Sequence, residues 1–234
     1  MSIKKILDIS AYLVIGPENT KGRPVGEIIK AAIVAGFTCI QIRSKVASAI
    51  ELIELTREAA AVIASLGKSD KVALLVNDRL DVILAARKMG IKVDGIHVGQ
   101  TDIPVDICRD YLGEDSIVGL SARTDELLEY IKTVDVRSID YFGAGPLHKT
   151  LTKPNCGLDS TGAIITRSFA ELTELRKLSP IPVVVGGGVK LLDIPPLAKT
   201  KVAGFFVVSA VTEAEQPGIA SAELVEAWKA AIDI

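Results

Sequence analysis

Short β-branched runs alternate with stretches of helical periodicity along the whole of this 234-residue chain. No other feature restricts its fold so tightly. The strand candidates are AYLVIG, FTCIQIR, KVALLVN, VDGIHVG, SIVGLS, SIDYFGAG, IPVVVGGG and GFFVVSA. Between them lie patterns such as VGEIIKAAIVAG, AIELIELTREAAAVIASLG, RLDVILAARKMG and SFAELTELRKL, with apolar residues at helical spacing and several terminal glycines. A strand followed by a helix and then another strand builds a parallel sheet covered by helices. Eight such units, the last ending in AELVEAWKAAI, predict an α/β fold: a (β/α)8 TIM barrel rather than an open doubly wound sheet. With 49% hydrophobic residues and no linker or low-complexity tract, residues 1–234 read as one barrel domain. A short segment, about 1–10, precedes strand one.

Barrels gather their chemistry at the C-terminal ends of the strands, and unusual residues cluster there in this sequence. Strand two runs into Gln41, Arg43 and Lys45, three polar residues alternating with Ile40 and Ile42 and so predicted to share one face. Strand three ends at Asn77-Asp78, strand four is followed by Gln100-Thr101-Asp102, and strand five ends at Ser121. Strand six leads into GAGPLHKTLTK, and the stretch from Pro146 to about Thr166 is the longest loop candidate. Gly186-Gly187-Gly188 and Val208-Ser209 close strands seven and eight.

Arg43, Lys45 and Lys153 have no neighbouring acid in sequence, and both residue types suit phosphate oxygens. Asp78 and Asp102 offer hard oxygens; with phosphate oxygens, two carboxylates hold Mg²⁺. They also suit acid–base catalysis, but beside so many cations they read better as part of a diphosphate clamp. The glycine triplet and Val208-Ser209 fall where barrels bind a phosphate through backbone N–H groups, and Thr150 and Thr152 add hydroxyls. A diphosphate with metal and a monophosphate without it make a two-substrate transferase.

Each feature has a plainer reading. The Gln41, Arg43 and Lys45 row suits a salt-bridge network at the barrel mouth. Asp78 suits a helix N-cap, Asp102 the start of the helix near Pro104, and the triplet a tight strand–helix turn. His97 reads as a hydrogen-bonded core histidine before a catalyst. Arg79 and Asp81 read as a local ion pair, and Lys4-Lys5 and Arg176-Lys177 as solvated faces. The functional reading rests on the joint location of these features.

Composition narrows the partners. A formal charge of −2 gives no reason to expect nucleic acid or an anionic membrane. Cys39, Cys108 and Cys156 are isolated and odd in number, which points to a reducing cytoplasm. Only His97 and His148 are available for a histidine-rich zinc site. The N-terminal stretch is too short in its apolar part for a signal peptide, and no apolar run approaches the roughly 20 residues of a membrane helix. The partners expected are small-molecule substrates, and a homo-oligomer stays open.

QIRSK, VNDRLDVILA, DGIHVGQTDIP, GLSART, DYFGAGPLHKTLTK, VVVGGGV and VVSAV, in that order, resemble the thiamine-phosphate synthase family and its relative, the thiazole tautomerases. The resemblance implies a (β/α)8 barrel that joins a hydroxymethylpyrimidine diphosphate to a thiazole phosphate and releases pyrophosphate by a Mg²⁺-assisted dissociative step. By position it implies that Gln41, Arg43, Lys45, Asn77, Ser121 and Lys153 contact the pyrimidine diphosphate, with Arg43, Lys45 and Lys153 stabilising the leaving group. Asp78 and Asp102 would bind Mg²⁺. Thr150, Thr152, Gly188, Val208 and Ser209 would hold the thiazole phosphate.

Three positions depart from the family pattern. Arg123 stands where a histidine is usual and where the tautomerases have their acid–base group, a task a guanidinium with a pKa above about 12 does not perform. Segment 86–93 is longer than usual, which a longer helix end or loop away from the site would absorb. Lys149 replaces a common proline. The alternatives to the synthase are a tautomerase-like or other phosphate-binding barrel enzyme, and a non-catalytic binder of thiamine precursors.

Overall fold

The computed structural model describes residues 3–150, 157–159 and 161–232. Eight parallel strands close into a barrel in sequential order, with β8 pairing back onto β1. They are β1 Ala11–Ile15, β2 Cys39–Ile42, β3 Ala73–Asn77, β4 Gly95–Val98, β5 Ile117–Ser121, β6 Tyr141–Ala144, β7 Val183–Val185 and β8 Gly204–Val207. The helices outside them are α1 Val25–Ala35, α2 Ala49–Ser65, α3 Leu80–Lys88, α4 Val105–Leu112, α5 Leu127–Thr133, α6 Phe169–Leu178 and α7 Ile194–Lys199. After β8 the chain forms two, the short α8 Ser209–Thr212 and the long α9 Pro217–Ile232. Local chemistry sets their starts. Ser48 accepts from the Glu51 N–H while Glu51 accepts from the Ser48 N–H, a capping box opening α2. Ser168 caps α6 in the same manner through the Glu171 N–H.

Strand alternation divides the core in two. Leu13, Ile15, Ile40, Ile42, Leu74 and Val76 face outward and pack under the helices. Tyr12, Val14, Cys39, Leu75, Ile117, Tyr141 and Val184 face inward and form a separate cluster. Ile3, Leu7 and Ile9 join this inner cluster and plug the N-terminal end of the barrel. Lys4 does not form a solvated face: its ammonium pairs with Asp140 at 3.0 Å, and Asp140 also pairs with Arg109 at 2.7 Å. Arg79 and Asp81 pair locally at 2.6 Å. The long 86–93 segment lies where α3 turns back to enter β4, at the end of the barrel opposite its mouth. There Arg87 fastens it by donating to the Val93 and Leu112 carbonyls. Among the described residues no helix is long and apolar enough to cross a membrane.

Candidate functional site

A cavity of about 760 Å³ opens at the C-terminal ends of the strands. Every described residue predicted for the site lines it. From β2 and the loop beyond it come Gln41, Arg43 and Lys45, from β3 Asn77 and Asp78, and from the loops after β4 and β6 Asp102 and Thr150. Ser121 ends β5, and Gly188, Val208 and Ser209 close the ring. Thr152 and Lys153 lie outside the described residues. Several strand ends fall earlier than the sequence predicted, among them β7, which stops at Val185 and leaves the glycine triplet on the following turn. β2 stops at Ile42, leaving Arg43 and Lys45 on the following loop, and β8 stops at Val207, so that Ser209 is the first residue of α8.

Among the described residues, the salt bridging that a plain reading allows at the barrel mouth is present only in part. Arg43 has no ion pair among the described residues, whereas the Lys45 ammonium lies 2.8 Å from the Asp78 carboxylate. Glu18, on the loop after β1, holds the backbone between them: it accepts from the Ser44 hydroxyl at 2.5 Å and the Lys45 N–H at 2.9 Å. Burial opposes the ionisation of Glu18, but these hydrogen bonds outweigh it and keep the carboxyl below its ordinary value.

Neither aspartate is a helix cap. Asp78 precedes the α3 cap position, Arg79, and sits at φ 60°, a left-handed conformation uncommon outside glycine. Asp102 closes a turn by accepting from the Gly99 N–H at 2.7 Å, and α4 starts later, after Pro104. Among the described residues no group of three or more His, Cys, Asp or Glu side chains is placed to hold a metal unaided. Two carboxylates at one mouth fit a Mg²⁺ that takes its remaining oxygens from phosphate and water.

The β6–β8 side is built differently. Gly187 and Gly188 have φ values of 81° and 72°. The Gly186 and Gly187 carbonyls accept from the Leu147 N–H, and Gly187 also from that of His148, which pins the triplet to the β6 loop. A Cβ on Gly187 would stand 2.6 Å from Pro146 Cβ, so the turn takes no larger residue.

Sequence reasoning missed the floor of the cavity. Tyr12 donates to Gln41 Oε1, and its hydroxyl lies 3.0 Å from that of Tyr141. Tyr141 in turn meets His97 Nδ1 at 2.9 Å, and His97 Nε2 lies 3.0 Å from Ser121. At the other end Gln41 Nε2 donates to Asn77 Oδ1 at 2.7 Å. His97 is thus hydrogen-bonded, as read from sequence, and it also lines the cavity. The signal available was that Tyr12 and Tyr141 occupy inward positions of strands whose neighbours Leu13 and Phe142 face out. At the rim, Arg123 lies over the Tyr130 ring at 5.9 Å, and Gln100 bonds both the Tyr130 hydroxyl and the Ser121 carbonyl.

A closed parallel barrel with its charged and glycine-rich loops at one mouth defines the class, a (β/α)8 barrel with a cavity at the C-terminal ends of its strands. Within that class the chain belongs to the thiamine monophosphate synthase family, whose model matches residues 11–211. It is 38% identical to the thiamine-phosphate synthase of Corynebacterium efficiens, over 90% of each chain. To that of Natronomonas pharaonis it is 33% identical, over 94% of this chain and 95% of the relative. Among solved structures it superposes on a thiamine phosphate pyrophosphorylase from Pyrococcus furiosus with a TM-score of 0.77 and 25% identity, covering 96% and 97% of the two chains.

Proposed function

We propose that this chain is a thiamine-phosphate synthase, a transferase that condenses 4-amino-5-hydroxymethyl-2-methylpyrimidine diphosphate with 4-methyl-5-(2-phosphoethyl)thiazole or its carboxylated form. One observation carries the reading: one cavity brings Arg43, which has no ion pair among the described residues, and two carboxylates to one side and a glycine-built turn with Ser209 to the other. Arg43 and Lys45, with Lys153, hold the diphosphate and take up the charge that develops as the methylene C–O bond breaks. Asp78 and Asp102 would hold Mg²⁺, which would supply positive charge to the leaving diphosphate. Gln41, Asn77 and Ser121 hold the pyrimidine ring. Thr150, Thr152, Gly188, Val208 and Ser209 hold the monophosphate, so that the thiazole nitrogen faces the methylene carbon and forms the new C–N bond as pyrophosphate departs. Positioning and charge stabilisation carry such a step without a protein nucleophile. Arg123 in place of a histidine argues against tautomerase chemistry. The buried free thiols of Cys39 and Cys108 accord with a cytoplasmic enzyme.

The test is turnover of the purified chain with both substrates and Mg²⁺, following thiamine phosphate and pyrophosphate together. Equal amounts of the two, abolished by a chelator, are expected. Binding of both substrates without turnover would favour the non-catalytic reading instead.

A further inference from the structure

The floor of the cavity is a chain of polar side chains drawn from six strands, running Asn77, Gln41, Tyr12, Tyr141, His97, Ser121. Such a chain has two self-consistent proton orders, and they are mutually exclusive. Gln41 Nε2 donates to Asn77, so its oxygen faces Tyr12 and receives the only proton of that phenol. Tyr141 must then donate to Tyr12, and His97 Nδ1–H to Tyr141. In a neutral imidazole, Nε2 is left bare and takes the proton of Ser121. Burial pushes both phenols well above the ordinary tyrosine value, so each keeps the one proton this order requires. Packing holds the links in place: a Cβ on Gly119 would stand 2.2 Å from Tyr141 Cζ, and the His97 and Tyr141 rings stack with centroids 5.5 Å apart.

We infer that Tyr12, Tyr141 and His97 are positioning residues that fix this order, so that Ser121 faces the cavity as an acceptor and the Gln41–Asn77 amides as donors, and that the order selects an amino-substituted over an oxo-substituted pyrimidine ring. The inference rests on the synthase reading for its ligand. An aminopyrimidine edge places an exocyclic N–H donor beside a ring-nitrogen acceptor, which matches the floor. A 4-oxo ring carries a carbonyl acceptor beside a ring N–H, so it sets acceptor against acceptor and donor against donor. Sites built to hydrogen-bond one pattern reject its reverse strongly, because buried groups are left unpaired.

Two measurements test this. Long-range ¹⁵N–¹H spectra of the folded protein, with His148→Asn removing the only other histidine, report the His97 tautomer directly. Turnover is then compared for the 4-amino pyrimidine diphosphate and its 4-oxo analogue in the parent and in Tyr141→Phe. The expected results are an Nδ1–H tautomer, a preference for the amino ring of at least about 10²-fold in kcat/KM, and a drop of that preference by about tenfold or more in Tyr141→Phe. An Nε2–H or doubly protonated His97 overturns the proton order, and an undiminished preference in Tyr141→Phe overturns the selection. If Tyr141→Phe does not fold, Tyr12→Phe breaks the chain one link further on and is judged by the same ratio. Failure of the parent to use either ring sinks the synthase reading and its ring selection, while the tautomer still decides the proton order.

Discussion

The two sides of the mouth are built by different physics. From β2 to β5 the site is made of side chains: Arg43, without an ion pair among the described residues, Lys45 against Asp78, and Asp102 on its turn. From β6 to β8 it is made of backbone: Gly187 and Gly188 lie at positive φ, and the Gly186 and Gly187 carbonyls accept from the Leu147 and His148 N–H groups. A leaving group whose charge grows during reaction is served by full charges and a metal. A phosphate that only anchors its substrate needs fixed dipoles and close approach. The contrast implies that side-chain changes on the first side alter rate, and backbone changes on the second alter affinity and stability.

The largest effect that would break this contrast is in Arg43→Ala. Removing a charge-stabilising donor costs about 3–4 kcal/mol of barrier, so kcat should fall by roughly 10²–10³-fold while affinity for the thiazole monophosphate, read by calorimetry, stays unchanged. A loss confined to KM would contradict the division of labour. Next comes Asp102→Asn, which should raise the Mg²⁺ concentration for half-maximal rate by about 10-fold or more. An unchanged metal titration would remove Asp102 from the metal site.

On the backbone side, Gly187→Ala forces a Cβ against Pro146 at a left-handed position. It should cost about 1–3 kcal/mol of stability, read by urea melting, and raise KM for the monophosphate substrate. The smallest effect sharpens the link between the two loops of the first side. Glu18 has a lowered pKa, so the stability it contributes is present above the ordinary carboxylate value and is lost as pH falls through its folded value. Hydrogen-exchange protection across residues 43–47 should therefore hold from neutrality to about pH 5 and fall below that, and Glu18→Gln should flatten the profile.

The barrel was legible because its evidence is local. Each strand run sits where β1 to β8 form, and Gly36 and Gly90 end or follow helices as their positions predicted. The cavity rim was legible for the same reason, since strand ends can be counted along the chain. Three things were not. The early stops of β2, β7 and β8 depend on how far the neighbouring strands continue pairing. The left-handed Asp78 is a backbone state that an aspartate does not announce. The floor joins Tyr12 to Tyr141 and His97 to Ser121 across strands far apart in sequence, and a tyrosine in AYLVI reads as an ordinary strand former until the barrel is closed.

The Lys45–Asp78 pair has a thermodynamic consequence of its own. If the lysine takes the diphosphate and the aspartate takes the metal, each ligand arriving alone must part the pair and leave one member without its counter-ion. The two arriving together leave neither stranded. An ion pair this exposed is worth only about 0–1 kcal/mol, so the parting is cheap, yet it is charged once and shared by both ligands. Mg²⁺ and diphosphate are therefore linked: each should tighten the other by the same factor, through a contact that belongs to neither of them.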